Sequence, residues 1–327
     1  MIPIGKTKIE SALAESSAMI TKIRDKAKAN LSKVKKDFAD YFNQEEKDYL
    51  DKVILCFAKD GFILSNLLEI TTAAESLGQP PKQTIFNDPA TNKPLDSLTK
   101  HILWALRYQY LRSSFYPGFF KKLGVNVCVY CHSQSALTVQ KELEDGKLKP
   151  QAKFELDHYY PKDDYPFLSI CFYNLYPVCK FCNNVKGEFM VDFDLYSELP
   201  ARNYHFDLSP ASVAEYLLDR DAEKLLIRFF DPDTLKTLPE GKKSFQAIFN
   251  IQGIYETQKD VAEELIVKSQ IYTPAYKAAL IRSFGPILSK NNLTNRILIG
   301  NYTDLADVHK RPMAKFIQDI ALQLGLL

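Results

Sequence analysis

Residues 154–188 read FELDHYYPKDDYPFLSICFYNLYPVCKFCNNVKGE. An adjacent Asp157–His158 pair, a Cys179/Cys182 pair and a cluster of amide and lysine side chains follow one another in this run. A fold alone does not require so many metal-capable and phosphate-capable groups in one place. The apolar–polar alternation of Phe154–Leu156 suits a strand end, which puts Asp157 and His158 on that strand. Neighbours on a strand point to opposite faces, so the two side chains do not both aim at one ion in the usual way. One binds an ion while the other takes a different role nearby. The turn-rich YYPKDDYPF comes next, and the apolar LSICFY after it reads as a second strand, followed by Asn174. Cys179-x-x-Cys182 then leads into CNNVKGEF, a helix start. The order is strand, loop, strand, helix, with polar groups converging at the ends.

Upstream lies a second C-x-x-C pair, Cys128 and Cys131. In each pair a tight turn lets two thiolates approach one ion, and two such knuckles complete a tetrahedral four-cysteine zinc site. Between Cys131 and Cys179 lie 47 residues, more than a zinc ribbon needs. The spacing therefore implies that Zn²⁺ staples the two ends of an inserted structure. A redox reading needs only one pair, beside a βαβ pattern that the sequence does not show. His132 could replace a cysteine, but four thiolates already fill the sphere. Cys56 and Cys171, in VILCFA and LSICFY, read as packed thiols.

The flanks are helical in pattern. Leu50, Val53, Ile54 and Phe57 recur at the spacing of one buried helix face. TKIRDKAKANLSKVKK carries seven basic residues against one acid, Asp25, and reads either as a solvated helix face or as a phosphate-contacting stripe. GQPPKQTIFNDPATNKPLD, with four prolines, reads as a loop or linker. Helical pattern resumes through SLTKHILWALRYQYLRSSF and ends near Pro117–Gly118. Beyond Pro210, KLLIRFFD suggests a short strand, and helices are expected over Tyr255–Lys268, Pro274–Phe284 and Pro312–Leu324. The expected organisation is a helical N-terminal region (1–120), a zinc-knuckle module (121–205) and a mainly helical C-terminal region (206–327). The fold class is α+β, predominantly helical.

A net charge of +2 makes any nucleic-acid surface a matter of local clustering. The first residues contain no apolar signal core, and no apolar run approaches a bilayer's thickness. A soluble, cytoplasmic protein without membrane contact is the expectation.

These residues resemble the HNH nucleases, whose ββα-metal motif sets an acid and His on one strand, Asn on the next, and His or Asn at the helix. One zinc-stapled branch frames the motif with C-x-x-C pairs and ends in C-x-x-C-N-x-x-K-G. Asp157-His158, Asn174, Cys179-x-x-Cys182-Asn183 and Lys186-Gly187 match it in order, over roughly residues 128–187. The resemblance implies that His158 is the general base that deprotonates water, and that Asn174 pins the long loop that orients it. It further implies that Asp157 and Asn183 hold a catalytic Mg²⁺ or Mn²⁺, and that Lys186 contacts phosphate. The third motif position is Asn183 rather than His, which bears on metal preference, and Asn184 competes for the role. Lys162 is a second candidate for holding DNA, although with Asp163 and Asp164 it also reads as a solvated loop tip. Tyr159, Tyr160 and Tyr165 read as packing residues.

The implied activity is cleavage of DNA to 5′-phosphate and 3′-hydroxyl ends. Small bacterial HNH proteins of this kind occur in antiphage defence or restriction systems, sometimes with a regulatory ATPase partner. The alternative is a non-catalytic, zinc-containing nucleic-acid-binding or scaffold module.

Overall fold

The computed structural model describes residues 1–81, 96–198, 204–234, 243–288 and 293–327, the side chains of 286–288 excepted. Most of the expected linker, 82–95, lies outside the described residues.

The chain opens with α1 (Lys6–Glu15), α2 (Ser17–Asp37), α3 (Gln44–Ala58) and α4 (Leu67–Leu77). Helix α2 buries Ile20, Ile23, Ala27, Leu31 and Val34, a stripe at intervals of three and four, and leaves most of its lysines on the open side. Asn43 with Glu46, and Asn66 with Glu69, form capping boxes that satisfy the first free N–H groups of α3 and α4. In α3 the anticipated face is present, with Leu50, Val53 and Phe57 buried and Ile54 half-buried.

Three short helices follow, α5 (Leu98–Ala105), α6 (Tyr108–Ser114) and α7 (Tyr116–Lys122). The single helix expected here is divided. Arg107, in the left-handed region at φ 57°, ends α5. Pro117 lies in the first turn of α7, where its missing N–H has no helical partner to lose. The proline opens a helix rather than closing one.

The central segment begins with β1 (Leu137–Glu142) paired antiparallel to β2 (Leu148–Lys153), a mostly exposed hairpin that the sequence pattern did not announce. Next come β3 (Glu155–His158) and β4 (Leu175–Val178), also antiparallel, with His158 opposite Leu175 and Glu155 opposite Val178. Helix α8 (Lys180–Lys186) follows at once. The apolar LSICFY is not the second strand. Its residues lie on and between single helical turns at Pro166–Leu168 and Phe172–Asn174, and the strand starts only at Leu175. A short apolar run buried on every side satisfies a compact turn as readily as a strand, and periodicity does not separate the two.

The remainder comprises β5 (His205–Leu208), α9 (Pro210–Asp219), β6 (Ile227–Phe230), α10 (Phe245–Phe249), α11 (Ile251–Glu256), α12 (Lys259–Ile271), α13 (Pro274–Leu288), α14 (Leu293–Ile299) and α15 (Ala314–Gln323). β5 pairs antiparallel with β6, and β6 is the strand expected from KLLIRFFD. The helix expected from Tyr255 is broken at Thr257–Gln258, so α11 and α12 share it. The protein is α+β and predominantly helical.

One continuous apolar core runs from Met1 to Leu326 and passes through the central segment. Phe172 meets the rings of Phe115, Tyr116 and Phe119, with centroids 6.0, 5.9 and 4.8 Å away. On the other side, the Tyr130 ring stacks on Phe249 at 4.6 Å. Arg112 of α6 is ion-paired with Glu155 of β3. Both helical flanks therefore press on the element that carries the motif residues. Phe172→Ala is expected to destabilise the protein by about 3–5 kcal/mol through the cavity it leaves, measured as a shift in urea midpoint at unchanged m-value.

Candidate functional site

The first knuckle is a turn closed by Cys128 N–H donating to the Gln134 carbonyl (2.9 Å) and His132 N–H donating to the Cys128 carbonyl (2.9 Å). Its outer side is sealed by the C-terminal region. The Tyr255 hydroxyl donates to the Cys131 carbonyl (2.9 Å) and the Met313 N–H to the His132 carbonyl (2.7 Å). In the second knuckle Cys179 caps α8, accepting from the Cys182 N–H at 3.4 Å.

The Sγ atoms of Cys128, Cys131, Cys179 and Cys182 all lie within 4.8 Å of one another, so these four residues can hold a metal ion. A tetrahedral zinc with bonds near 2.3 Å spaces its sulfurs by roughly 3.8 Å, and the thiol set suits that ion. Hydrogen bonds from Cys128 push Cys131 and Cys179 down towards the thiolate. His132 is not in this group. Its ring packs 4.9 Å from that of His309, and burial depresses both imidazoles.

Asp157 and His158 point to opposite sides of β3, as the strand period requires. The Asp157 carboxylate turns inward. Tyr130, from inside the first knuckle, donates to Oδ2 at 2.6 Å, and Lys186, from the end of α8, donates to Oδ1 at 3.2 Å. The same ammonium also donates to the His158 carbonyl at 3.0 Å. Burial raises the Asp157 pKa, and Lys186 and Tyr130 pull against it.

The His158 ring turns the other way, against the ring of Tyr108 at 5.0 Å. Its Nε2 lies 3.1 Å from the Ser169 carbonyl. A carbonyl only accepts, so Nε2 carries the proton and Nδ1 keeps its lone pair. Burial holds the imidazole pKa down, at about 3.

Asn174 ties the loop between these elements. Its Oδ1 accepts from Tyr160 N–H (2.7 Å), and its Nδ2 donates to the carbonyls of Tyr160 (3.2 Å) and Leu168 (3.0 Å). Ser169, which holds His158, is the next residue after Leu168.

The other expected residues are placed differently. Asn183 is half-buried on α8, its backbone N–H donating to the Cys179 carbonyl at 3.0 Å and its side-chain amide making no hydrogen bond among the described residues. Asn184 is exposed. Lys186, expected to reach phosphate, is 1% exposed and committed to Asp157. Lys162 is partly exposed and pairs with Asp163 at 2.9 Å.

This arrangement does not fit a second ion at Asp157. Both carboxylate oxygens are engaged, and Lys186 already stands where a cation would. A divalent ion beside it would set like charges a few ångströms apart in a poorly screened interior. Sequence reasoning missed Tyr130, Ser169 and Tyr108. Tyr130 had a faint signal as the aromatic inside a knuckle, whereas Ser169 acts through its backbone and leaves none.

Over 63 residues the chain is 38% identical to the Septu protein PtuB of Bacillus thuringiensis, a stretch that covers 19% of this chain and 20% of that protein. The chain thus matches about a fifth of the length of this curated relative. No family model and no solved structure matches the chain. Among the described residues, no helix is long and apolar enough to cross a membrane.

Two outcomes follow from the geometry. Purified protein is expected to carry about one zinc per chain by elemental analysis, with Cys182→Ser losing the ion and lowering the melting temperature. Acid is expected to destabilise the fold. His158 and His309 have pKa values lowered from 6.5 to about 3 and about 4. Their stabilising effect is complete above the unfolded value and is lost as pH falls through the window below it. The loss is on the order of 3 kcal/mol per group by pH 4. Asp157, raised by burial, opposes it only at the acid end. Urea midpoints between pH 7 and pH 4 would read the decline.

Proposed function

We propose that the protein is a nuclease of the HNH type that hydrolyses DNA phosphodiester bonds and acts in a bacterial defence system. The observation that carries this reading is the setting of His158. Its Nε2–H is anchored to the Ser169 carbonyl, so Nδ1 is the available base on the ring. The imidazole is oriented by a loop that Asn174 holds. Nδ1 takes a proton from water as the oxygen attacks phosphorus, the P–O3′ bond breaks, and the departing 3′ oxygen takes a proton from solvent, which leaves 5′-phosphate and 3′-hydroxyl ends. In the free protein Lys162 and Lys186 add to burial in holding the pKa down. A phosphodiester near Lys162 offsets that part of the repulsion. The partial likeness to a Septu protein supports the defence context, and a regulatory partner such as an ATPase belongs to that reading.

Asp157 enters the reading as a holder of the strand and of Lys186. The Mg²⁺ or Mn²⁺ that the HNH resemblance implies would have to compete with that lysine. The same pairing is the observation that favours the alternative, a zinc-containing binding module without catalysis.

Incubation of supercoiled plasmid with the protein and a panel of divalent ions separates the two. Nicking is expected, and His158→Ala is expected to reduce it at least a hundredfold, with melting curves run alongside because loss of the buried ring and its bond to Ser169 also costs stability. Equal cleavage by the variant removes His158 as the base. An absence of cleavage with every ion, with DNA binding retained, establishes the non-catalytic module.

A further inference from the structure

Helices α2 and α5, the start of α6 and the loop after β3 enclose a groove of about 660 Å³. Its cations come from separate parts of the chain: Lys26 and Lys33 on α2, Lys100 on α5, Arg107 at the α5–α6 break and Lys162 on the loop. Among the described residues no carboxylate lines it. Two aromatic faces open into the same space. Trp104 is 58% exposed and Tyr110 54% exposed. Tryptophan is highly buried on average, so an indole left this open among lysines calls for a ligand.

The groove is built rather than incidental. Asn30 ties α2 to α5 by donating to the Ala105 carbonyl at 2.8 Å, and the Arg107 guanidinium lies 4.0 Å over the Tyr110 ring. Lys100, Lys33 and Lys162 have carboxylate neighbours in Asp96, Asp37 and Asp163, at 3.1, 3.9 and 2.9 Å. Open pairs of this kind are worth about 1 kcal/mol or less, so an incoming polyanion displaces them. A smaller cavity of about 180 Å³ shares Lys26, Arg107 and Tyr110 and extends the track past Lys22. Tyr108 also lines the groove, and its buried ring lies against that of His158 with centroids 5.0 Å apart.

We propose that this groove binds a single-stranded stretch of DNA, its phosphates on the lysines and Arg107 and its unpaired bases on Trp104 and Tyr110, and leads it to His158. Cations alone would serve a duplex equally well, since phosphates are all that a duplex backbone offers. Exposed aromatic faces between the cations add something only when bases are free to stack on them. The delivery to His158 rests on the nuclease reading above; the binding does not.

Trp104 is the chain's one tryptophan, so intrinsic fluorescence reports on the groove. The test titrates the full chain carrying His158→Ala with a fluorescein-labelled oligothymidylate of about fifteen nucleotides and with a duplex of equal length, reading both anisotropy and tryptophan quenching. Single-stranded DNA is expected to quench the indole and to bind more tightly than the duplex. Trp104→Ala with Tyr110→Ala is expected to weaken binding about tenfold or more, whereas Trp104→Phe retains most of it. Lys33→Glu with Lys100→Glu is expected to flatten the salt dependence. All four positions are exposed, and melting curves check that the variants remain folded. Duplex bound as tightly as the single strand without quenching, or unchanged binding by the double aromatic variant, overturns the proposal even if plasmid cleavage is intact. Groove binding without cleavage by the native chain in any metal ion overturns the nuclease reading and leaves the groove assignment standing.

Discussion

Four thiols gathered within 4.8 Å are the constraint on which the centre of this molecule depends. The two knuckles are 47 residues apart in sequence, and closing a loop of that length costs roughly 3 kcal/mol in chain entropy. A single neutral hydrogen bond does not offset that cost, but thiolate–metal bonds do. The knuckles also carry more than cysteine. Tyr130 sits between the first two thiols and Lys186 lies four residues beyond the last, and these are the groups that fix the Asp157 carboxylate. Sulfur geometry thereby becomes carboxylate geometry, and through β3 it also sets the neighbouring imidazole.

That strand divides the labour. With a side-chain period of two, one residue must face the knuckles and the next must face away. The inward residue meets an ammonium and a phenol in a space that excludes water, where a carboxylate is tolerable only if paired. The outward residue meets a carbonyl and an aromatic ring beside a cation-lined groove. A buried ion pair and an oriented neutral base sit on adjacent residues without sharing a ligand.

Much of this was legible in the residues because it rests on local rules. The two C-x-x-C turns and the strand bearing Asp157 and His158 follow from spacing and alternation, and so does a helix at the second knuckle, although it begins at Lys180 and ends at Lys186 rather than starting at Cys182. The buried face of α3 follows from its three-and-four repeat. What could not be read rests on tertiary contact. LSICFY packs as turns because Phe172 has α7 to bury against, and the pattern of the segment itself does not contain α7. The resemblance placed Lys186 on phosphate, yet its ammonium finds the Asp157 carboxylate of β3. The groove joins lysines of α2 and of the loop after β3, more than a hundred residues apart, with a tryptophan of α5, a juxtaposition that no local window holds.

The seal on the first knuckle has a consequence for how the chain matures. The carbonyls of Cys131 and His132 are covered by Tyr255 and Met313, which lie more than a hundred residues downstream in the sequence. Until that portion is made, the turn around Cys131 lacks the two hydrogen bonds that hold its outer side. The turn of the first knuckle is therefore set from both ends of the fold, while the second, with Cys179 half-buried, keeps the more open side of the four-sulfur cluster.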